Sequence, residues 1–381
     1  MLLFFGIVFT VYGLVNFYIG LRGFQAMEAA SSWREIYIAA FLFLSLSFIA
    51  GRFLERAWLS PVSEALVWTG SYWLAAMLYF FLAVFFLDLL RLVNHFIPFF
   101  PAFVTEDYQR AKFLIGAGIT MLVILVVLGG HVNAANPAIR RLDIHLPKRV
   151  KGSAEIHVVV ASDIHLGTII GRGRFDRVVE KINALSPDLV LLPGDIVDED
   201  LAPVIKENLG ESLRSIKATY GVVAVTGNHE YIGGADEACR YMTEHGVVVL
   251  RDSMVRLENG LQIVGREDRS SRQFAGKKRK SLQELVAGID PTNPVILMDH
   301  QPFQLEEASA AGVDLQLSGH THHGQLWPFN LITRVIYEVS WGYKLVGETQ
   351  VYVSSGVGTW GPPVRTGNRP EIVSIRLRCE P

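Results

Sequence analysis

Five short polar motifs in the second half of the chain carry its chemistry. They are Asp163-Ile-His165, Gly194-Asp195-Ile-Val-Asp198, Gly227-Asn228-His229-Glu230, Asp299-His300 and Gly319-His320-Thr-His322-His323-Gly324. Carboxylate, carboxamide and imidazole groups are the donors that manganese, iron or zinc accept. Together the motifs supply Asp, Asn and His ligands for two adjacent divalent ions. Neither cysteine, Cys239 nor Cys379, stands near a motif, which argues against a thiolate zinc site. The two are far apart in sequence and suggest no disulfide framework. One Asp or His in such a place is commonly a turn or cap residue; the set is what carries weight.

The motifs need elements to present them, and most close an apolar run. IHVVVAS precedes Asp163, DLVLLP precedes Asp195, GVVAVT precedes Asn228, PVILM precedes His300 and VDLQLS precedes His320. Short continuous apolar runs separated by helix-length stretches read as buried strands of an α/β domain. Ligands at the carboxyl ends of such strands converge on one edge of the sheet. Between the runs, RFDRVVEKINAL predicts a helix with Phe175, Val178, Val179 and Ile182 on one face. PVIKENLGESLRSI predicts a second helix, and EACRYMTEHG a third that stops at Gly246. VVVL, MVRLENG and LQIVG read as antiparallel strands, with Asn259-Gly260 as a tight hairpin turn, so the sheets are expected to be mixed.

In order and composition the motif series resembles the calcineurin-like metallophosphoesterase superfamily over roughly residues 154–378. The tail Ser354-Ser355-Gly-Val-Gly358-Thr-Trp360-Gly-Pro-Pro, with Gly324-Gln325, is similar to the bacterial membrane-associated subgroup with N-terminal transmembrane helices. The resemblance implies two mixed β-sheets packed face to face with flanking helices. It implies Asp163, His165 and His322 on a first metal, Asn228, His300 and His320 on a second, and Asp195 bridging both. Two ions about 3.5–4 Å apart can share a hydroxide in line with phosphorus. His229 resembles the family's histidine, which stabilises the transition state or protonates the leaving oxygen, with Glu230 orienting it. Asp198 either hydrogen-bonds a ligand or caps the following helix, and His323 lines the pocket. The expected cofactor is a pair of divalent ions, manganese first, with iron or zinc as alternatives.

Composition locates a second half of a different kind. The chain has 381 residues, 50% of them hydrophobic and only 19% charged. The excess lies in four apolar stretches at 2–21, 36–54, 66–90 and 112–131. Each is near the roughly 20 residues that cross a bilayer, the second being diluted by Ser45, Ser47 and Gly51. Trp33, Trp58, Trp68 and Trp73 cluster near the stretch ends, as interfacial aromatics do. Asn16 and Tyr18 are expected to pack between helices. The first stretch lacks a basic start and a small-residue cleavage pattern, so it reads as a span rather than a cleaved signal. The expected domains are a four-helix transmembrane unit at 1–131, a basic linker at 132–153 and the catalytic domain at 154–381. Arg22, Arg34, Arg91, Arg110 and Lys112 fall on one side; Arg52, Arg56 and the linker cations fall on the other. That distribution leans toward a cytoplasmic catalytic domain on a bacterial inner membrane, an external one remaining the alternative.

A net charge of −2 gives no basic field for nucleic acid, so none is expected as a partner. The leading expectation is an integral membrane phosphoesterase acting on a phosphodiester or pyrophosphate, with the bilayer as partner and a lipid-linked substrate. Phosphomonoester hydrolysis is one alternative. A transporter or sensor regulated by the soluble domain is the other; it calls for paired charges within the spans, and the sequence shows almost none. Trp327, Trp341, Tyr343 and Trp360 form an aromatic wall or pack under a loop. Lys277-Lys278-Arg279-Lys280, after Arg269 and Arg272, attracts headgroups or is a solvated face.

Overall fold

The computed structural model describes residues 2–28, 31–151 and 155–380, with 2–5 in backbone only. The chain divides into two compact units, Met1–His131 and Val132–Pro381.

The first unit is built on four helices long and apolar enough to cross a membrane: Leu2–Ala26, Trp33–Ala57, Pro61–Phe96 and Tyr108–Ala134. In lipid, helices gain nothing from burying Leu against Leu, so small residues that permit close approach mark the seams. The residues that dilute the second stretch do this. Ser45, Ser47 and Gly51 are among its buried positions, as are Ser63, Gly70, Ser71 and Ala75 of the third helix. A Cβ on Gly70 would strike the backbone of Phe48, and one on Gly51 would come 2.7 Å from Val67 N.

Several polar groups inside this unit are paired. Asn16 Oδ1 accepts from Trp73 Nε1 at 2.9 Å, so Trp73 is a buried packing residue rather than an interfacial one. Tyr18 Oη donates to Asp88 Oδ2 at 2.6 Å, and Asp88 is bridged to Arg22 at 2.7 Å and Arg91 at 3.1 Å. This is a paired charge that the sequence did not reveal. It sits near the ends of the first and third helices.

Among the described residues the second unit contains twelve strands in two six-stranded sheets. In chain order they are β1 (Ala138–Arg149), β2 (Glu155–Val160), β3 (Leu189–Pro193), β4 (Val222–Val225), β5 (Val247–Leu250) and β6 (Ser253–Arg256). Then follow β7 (Gln262–Gly265), β8 (Val295–Met298), β9 (Leu315–Ser318), β10 (Gly342–Val346), β11 (Thr349–Val353) and β12 (Glu371–Glu380). One sheet has the order β1-β12-β2-β3-β4-β5, the other β10-β11-β9-β8-β7-β6. Strand period 2 builds three layers of core. In β3, Leu189 and Leu191 point between the sheets, where they meet Ile263, Ile296 and Leu317. Val190 and Leu192 point outward to Phe175, Val178 and Ile182 of helix Arg172–Ala184. Burial on both faces is why these strands read as unbroken apolar runs.

Three expectations are corrected. The segment read as a linker carries β1, which pairs in parallel with β12 from Ala138↔Glu371 onward and buries Ile144 and Leu146; residues 152–154 lie outside the described residues. VVVL is β5, parallel to β4 in the first sheet, and only β6 and β7 form the antiparallel hairpin through Asn259-Gly260. The helix expected over PVIKENLGESLRSI is two, Leu201–Lys206 and Leu209–Arg214, because Asn208 between them is left-handed at φ 53°.

Gly70→Val should overpack the seam between the second and third helices, at a cost of about 1–3 kcal/mol. Thermal loss of helical circular dichroism in detergent should shift down by several degrees, about what such a cost produces. Gly118→Val, with open space around it, should leave the melt unchanged.

Candidate metal centre

Five parallel strands end at the same seam between the sheets. β2, β3 and β4 deliver Asp163, Asp195 and Asn228 from one sheet; β8 and β9 deliver His300 and His320 from the other. His165 and His322 follow two residues after Asp163 and His320. All are buried except Asn228 and His320, which are half-buried. Ligand atoms of Asp163, His165 and His322 lie within 4.8 Å of one another, as do those of Asp195, His300 and His320, and those of His165, Asp195 and His229. Asn228 joins the second group through its Oδ1, which accepts from His320 Nδ1 at 2.8 Å.

Tight turns aim these groups, and the backbone shows it. Asp163, His165, Asp195, His320, His322 and His323 all have positive φ, between 45° and 71°. Such backbone costs roughly 1–2 kcal/mol per residue and collects at functional sites. Two glycines allow the close approach: a Cβ on Gly227 would collide with Asp195 Oδ1, and one on Gly319 with Ser162 and Asp163.

A second ring of contacts fixes the ligands. His300 donates Nδ1–H to Pro193 O at 2.7 Å, which turns Nε2 toward Asp195 Oδ2, 3.1 Å away. The Asp195 Oδ1 accepts from His229 N–H, and Asp163 Oδ1 accepts from His320 N–H. Asp198 accepts from His229 Nδ1 at 3.0 Å; the following helix is capped by Asp200 instead. Glu230, expected to orient His229, does something else: its carboxylate accepts from the backbone N–H groups of Asp195, Val197 and Gly227 and so holds the Asp195 turn. His323 is turned away, with Nδ1 at 2.9 Å from Ser340 Oγ and its ring against Trp341.

Sequence reasoning missed Arg365 and Asn368. Arg365 is fully buried, donates to Gly358 O and Ser355 O, and places Nη2 3.0 Å from His322 Nδ1. Asn368 Nδ2 donates to the carbonyls of His322 and His323. Neither stands in a periodic pattern or beside a motif, so no local signal marks them. Of the aromatics, Trp360 lies over His229 with ring centroids 5.9 Å apart, and Tyr337 lies 6.0 Å from His320. In the basic run, Arg279 is committed to Asp299 at 3.0 Å.

Residues 156–324 match the family described as calcineurin-like phosphoesterase. An uncharacterized metallophosphoesterase of Aquifex aeolicus is 32% identical over 68% of this chain and 98% of its own length. The chain belongs to the calcineurin-like phosphoesterases. An uncharacterized metallophosphoesterase of Helicobacter pylori is 35% identical over 65% of this chain, which spans 66% of that relative's length. A relative in Danio rerio described as a transmembrane protein with metallophosphoesterase domain is 32% identical over 68% of this chain and 62% of its own.

The donors of this phosphoesterase site fit divalent ions. His300 Nε2 faces Asp195 Oδ2 at 3.1 Å and His165 Nδ1 faces Asp198 Oδ1 at 3.6 Å, both buried and neither in hydrogen-bond geometry, an arrangement that a cation held between such groups would complete. The charges are set up for cations too. Burial pushes the Asp195 carboxyl up, but His300 and His229 overcome it and hold it well below the usual range. Burial, His165 and Arg365 hold His322 well below its ordinary value, leaving it neutral. Burial and His300 lower His320 to about 3.

His229 differs. Burial lowers its pKa, yet Asp195 and the Asp198 hydrogen bond raise it to about 9. Cations that neutralise Asp195 leave Asp198 as the main support of the protonated ring. Asp198→Asn should therefore lower the His229 pKa by about one unit or more. In a profile of kcat against pH, the alkaline limb should move to lower pH while the acid limb stays.

Proposed function

We propose that the protein is a membrane-anchored, metal-dependent hydrolase of a phosphodiester or pyrophosphate bond, acting on a lipid or lipid-linked substrate. The convergence of Asp163, His165, Asp195, Asn228, His300, His320 and His322 on one buried seam, with His300 Nε2 aimed at Asp195 Oδ2, carries this reading. In it, Asp163, His165 and His322 hold one ion, Asn228, His300 and His320 a second, and Asp195 both, manganese being the first choice for this oxygen and imidazole set. When bound, the ions supply Lewis acidity toward the phosphoryl oxygens and acidify a water.

The chain's own residues do the rest. Glu230 locks the Asp195 turn through three backbone N–H groups. Arg365 packs behind the His322 ring and fixes its orientation. His229, kept protonated by Asp198, delivers a proton to the leaving oxygen as its bond to phosphorus breaks. Water supplies the new P–O bond. An alcohol leaving group needs that proton most, which favours an ester over an anhydride bond. Trp360, exposed beside His229, offers an apolar face to the second ester substituent. The cation distribution around the spans supports a cytoplasmic catalytic domain on a bacterial inner membrane.

The test is hydrolysis of bis-p-nitrophenyl phosphate and p-nitrophenyl phosphate by detergent-purified protein with manganese, zinc or chelator. Manganese-dependent turnover of the diester is expected. Asp195→Ala should lose metal and activity together. His229→Ala should keep metal but lose about 10²–10⁴-fold in kcat. Turnover of the monoester alone would replace the diester reading, and turnover that survives chelation would overturn the assignment.

A further inference from the structure

A water-soluble domain turns the apolar face of a surface helix inward. Helix Phe329–Ile336 does the reverse. None of its eight residues is buried. Its polar residues Asn330 and Thr333 are the half-buried ones, whereas Leu331, Ile332 and Ile336 are 52–56% exposed and Val335 is 87% exposed. The neighbouring edge strand β10 continues the pattern with Tyr343 and Leu345. Among the described residues beyond Ala134, thirteen large apolar side chains are exposed, and nine of them fall between Trp327 and Leu345. Scattered exposed leucines need no explanation, but a contiguous patch marks a surface that meets something apolar.

The chain itself says what that is. The last membrane-length helix ends at Ala134 and β1 begins at Ala138, so three intervening residues tether the domain, a reach of roughly 10 Å. A bilayer is therefore always close by. The composition suits its surface layer: bulky aliphatics and aromatics, with the exposed cation Arg334 and a Lys344–Glu338 pair at 2.8 Å as the charged groups of the helix and strand. The patch also opens on the metal centre. Five residues separate the helix from the His320–His323 turn, and Tyr337 at its end lies against both His320 and Phe303.

We propose that helix Phe329–Ile336 and strand β10 insert into the interfacial layer of the bilayer and seat the mouth of the metal centre on the lipid surface. A substrate then reaches the centre from the membrane, its phosphate at headgroup depth and its apolar part in the acyl layer. This deepens the hydrolase reading above and rests on it for the substrate, but the insertion is measurable without it.

The experiment uses the full chain in phosphatidylcholine vesicles containing phosphatidylglycerol. Cys239 and Cys379 are buried, so Val335→Cys can be labelled selectively with an environment-sensitive fluorophore. Val248→Cys, exposed on β5 of the other sheet, is the control. The label at position 335 should shift to the blue and be quenched several-fold by nitroxide-bearing lipids, and the label at 248 should do neither. A label at 335 that behaves as in water would overturn the proposal. So would a blue shift without lipid quenching, because protein, a second copy or this chain's own spanning unit, would then cover the patch. Turnover of bis-p-nitrophenyl phosphate in the same samples reports separately on the hydrolase reading.

Discussion

The contact between Asp195 and His300, 3.1 Å across the seam of the two sheets, is the constraint on which the rest of the catalytic unit depends. One comes from the end of β3 and the other from the end of β8, and both are buried to within 2%. A carboxylate oxygen and an imidazole nitrogen buried this close can serve one cation only while both strand ends stay in place. The sheets must therefore stack with their parallel strand ends in register. Leu189, Leu191, Ile296 and Met298 fill the space directly beneath and fix that stacking. Every other ligand hangs from a strand that this packing has already placed.

What the strands place, the turns must then aim. Six site residues accept left-handed backbone, and Asp195 is held there by Glu230, whose own carboxyl is raised to about 6 by burial and by Asp195. Two buried carboxylates packed together make a poor arrangement for a protein alone. It becomes a favourable one when cations fill it, because they stabilise the Asp195 charge and give the converging imidazoles a common partner. Local strain and buried charge are thus two costs offset by the same ligand.

The strand ends were legible because burial on both faces writes unbroken apolar runs, and Gly-Asp or Gly-Asn-His follows each as a turn. β1 was not read, although Leu142, Ile144 and Leu146 alternate with polar residues. Arg140, Arg141, Lys148 and Arg149 made the same stretch look like a basic connector, since an edge strand leaves one face wet. VVVL was assigned to the wrong partners because pairing is long-range and period 2 says nothing of which neighbour a strand takes. Asn208 broke a helix whose apolar spacing was otherwise continuous. Arg365 had no local signal at all: it matters only because the chain returns from β11 to lay it behind His322.

The two halves of the chain also show how burial reports the solvent. In the second spanning helix Ser45, Ser47 and Gly51 are inside while Leu42, Phe43 and Leu46 face out. Helix Arg172–Ala184 has the opposite arrangement, with Phe175, Val178, Val179 and Ile182 inside and its charges out. That contrast separates a lipid-facing helix from a water-facing one without any measure of length. By this criterion helix Phe329–Ile336 belongs with the spanning helices, although at eight residues it is about 12 Å long and cannot cross a bilayer. A helix with a lipid-type surface and a water-type length suits the boundary between the two solvents, where its apolar face is covered and its ends stay wet.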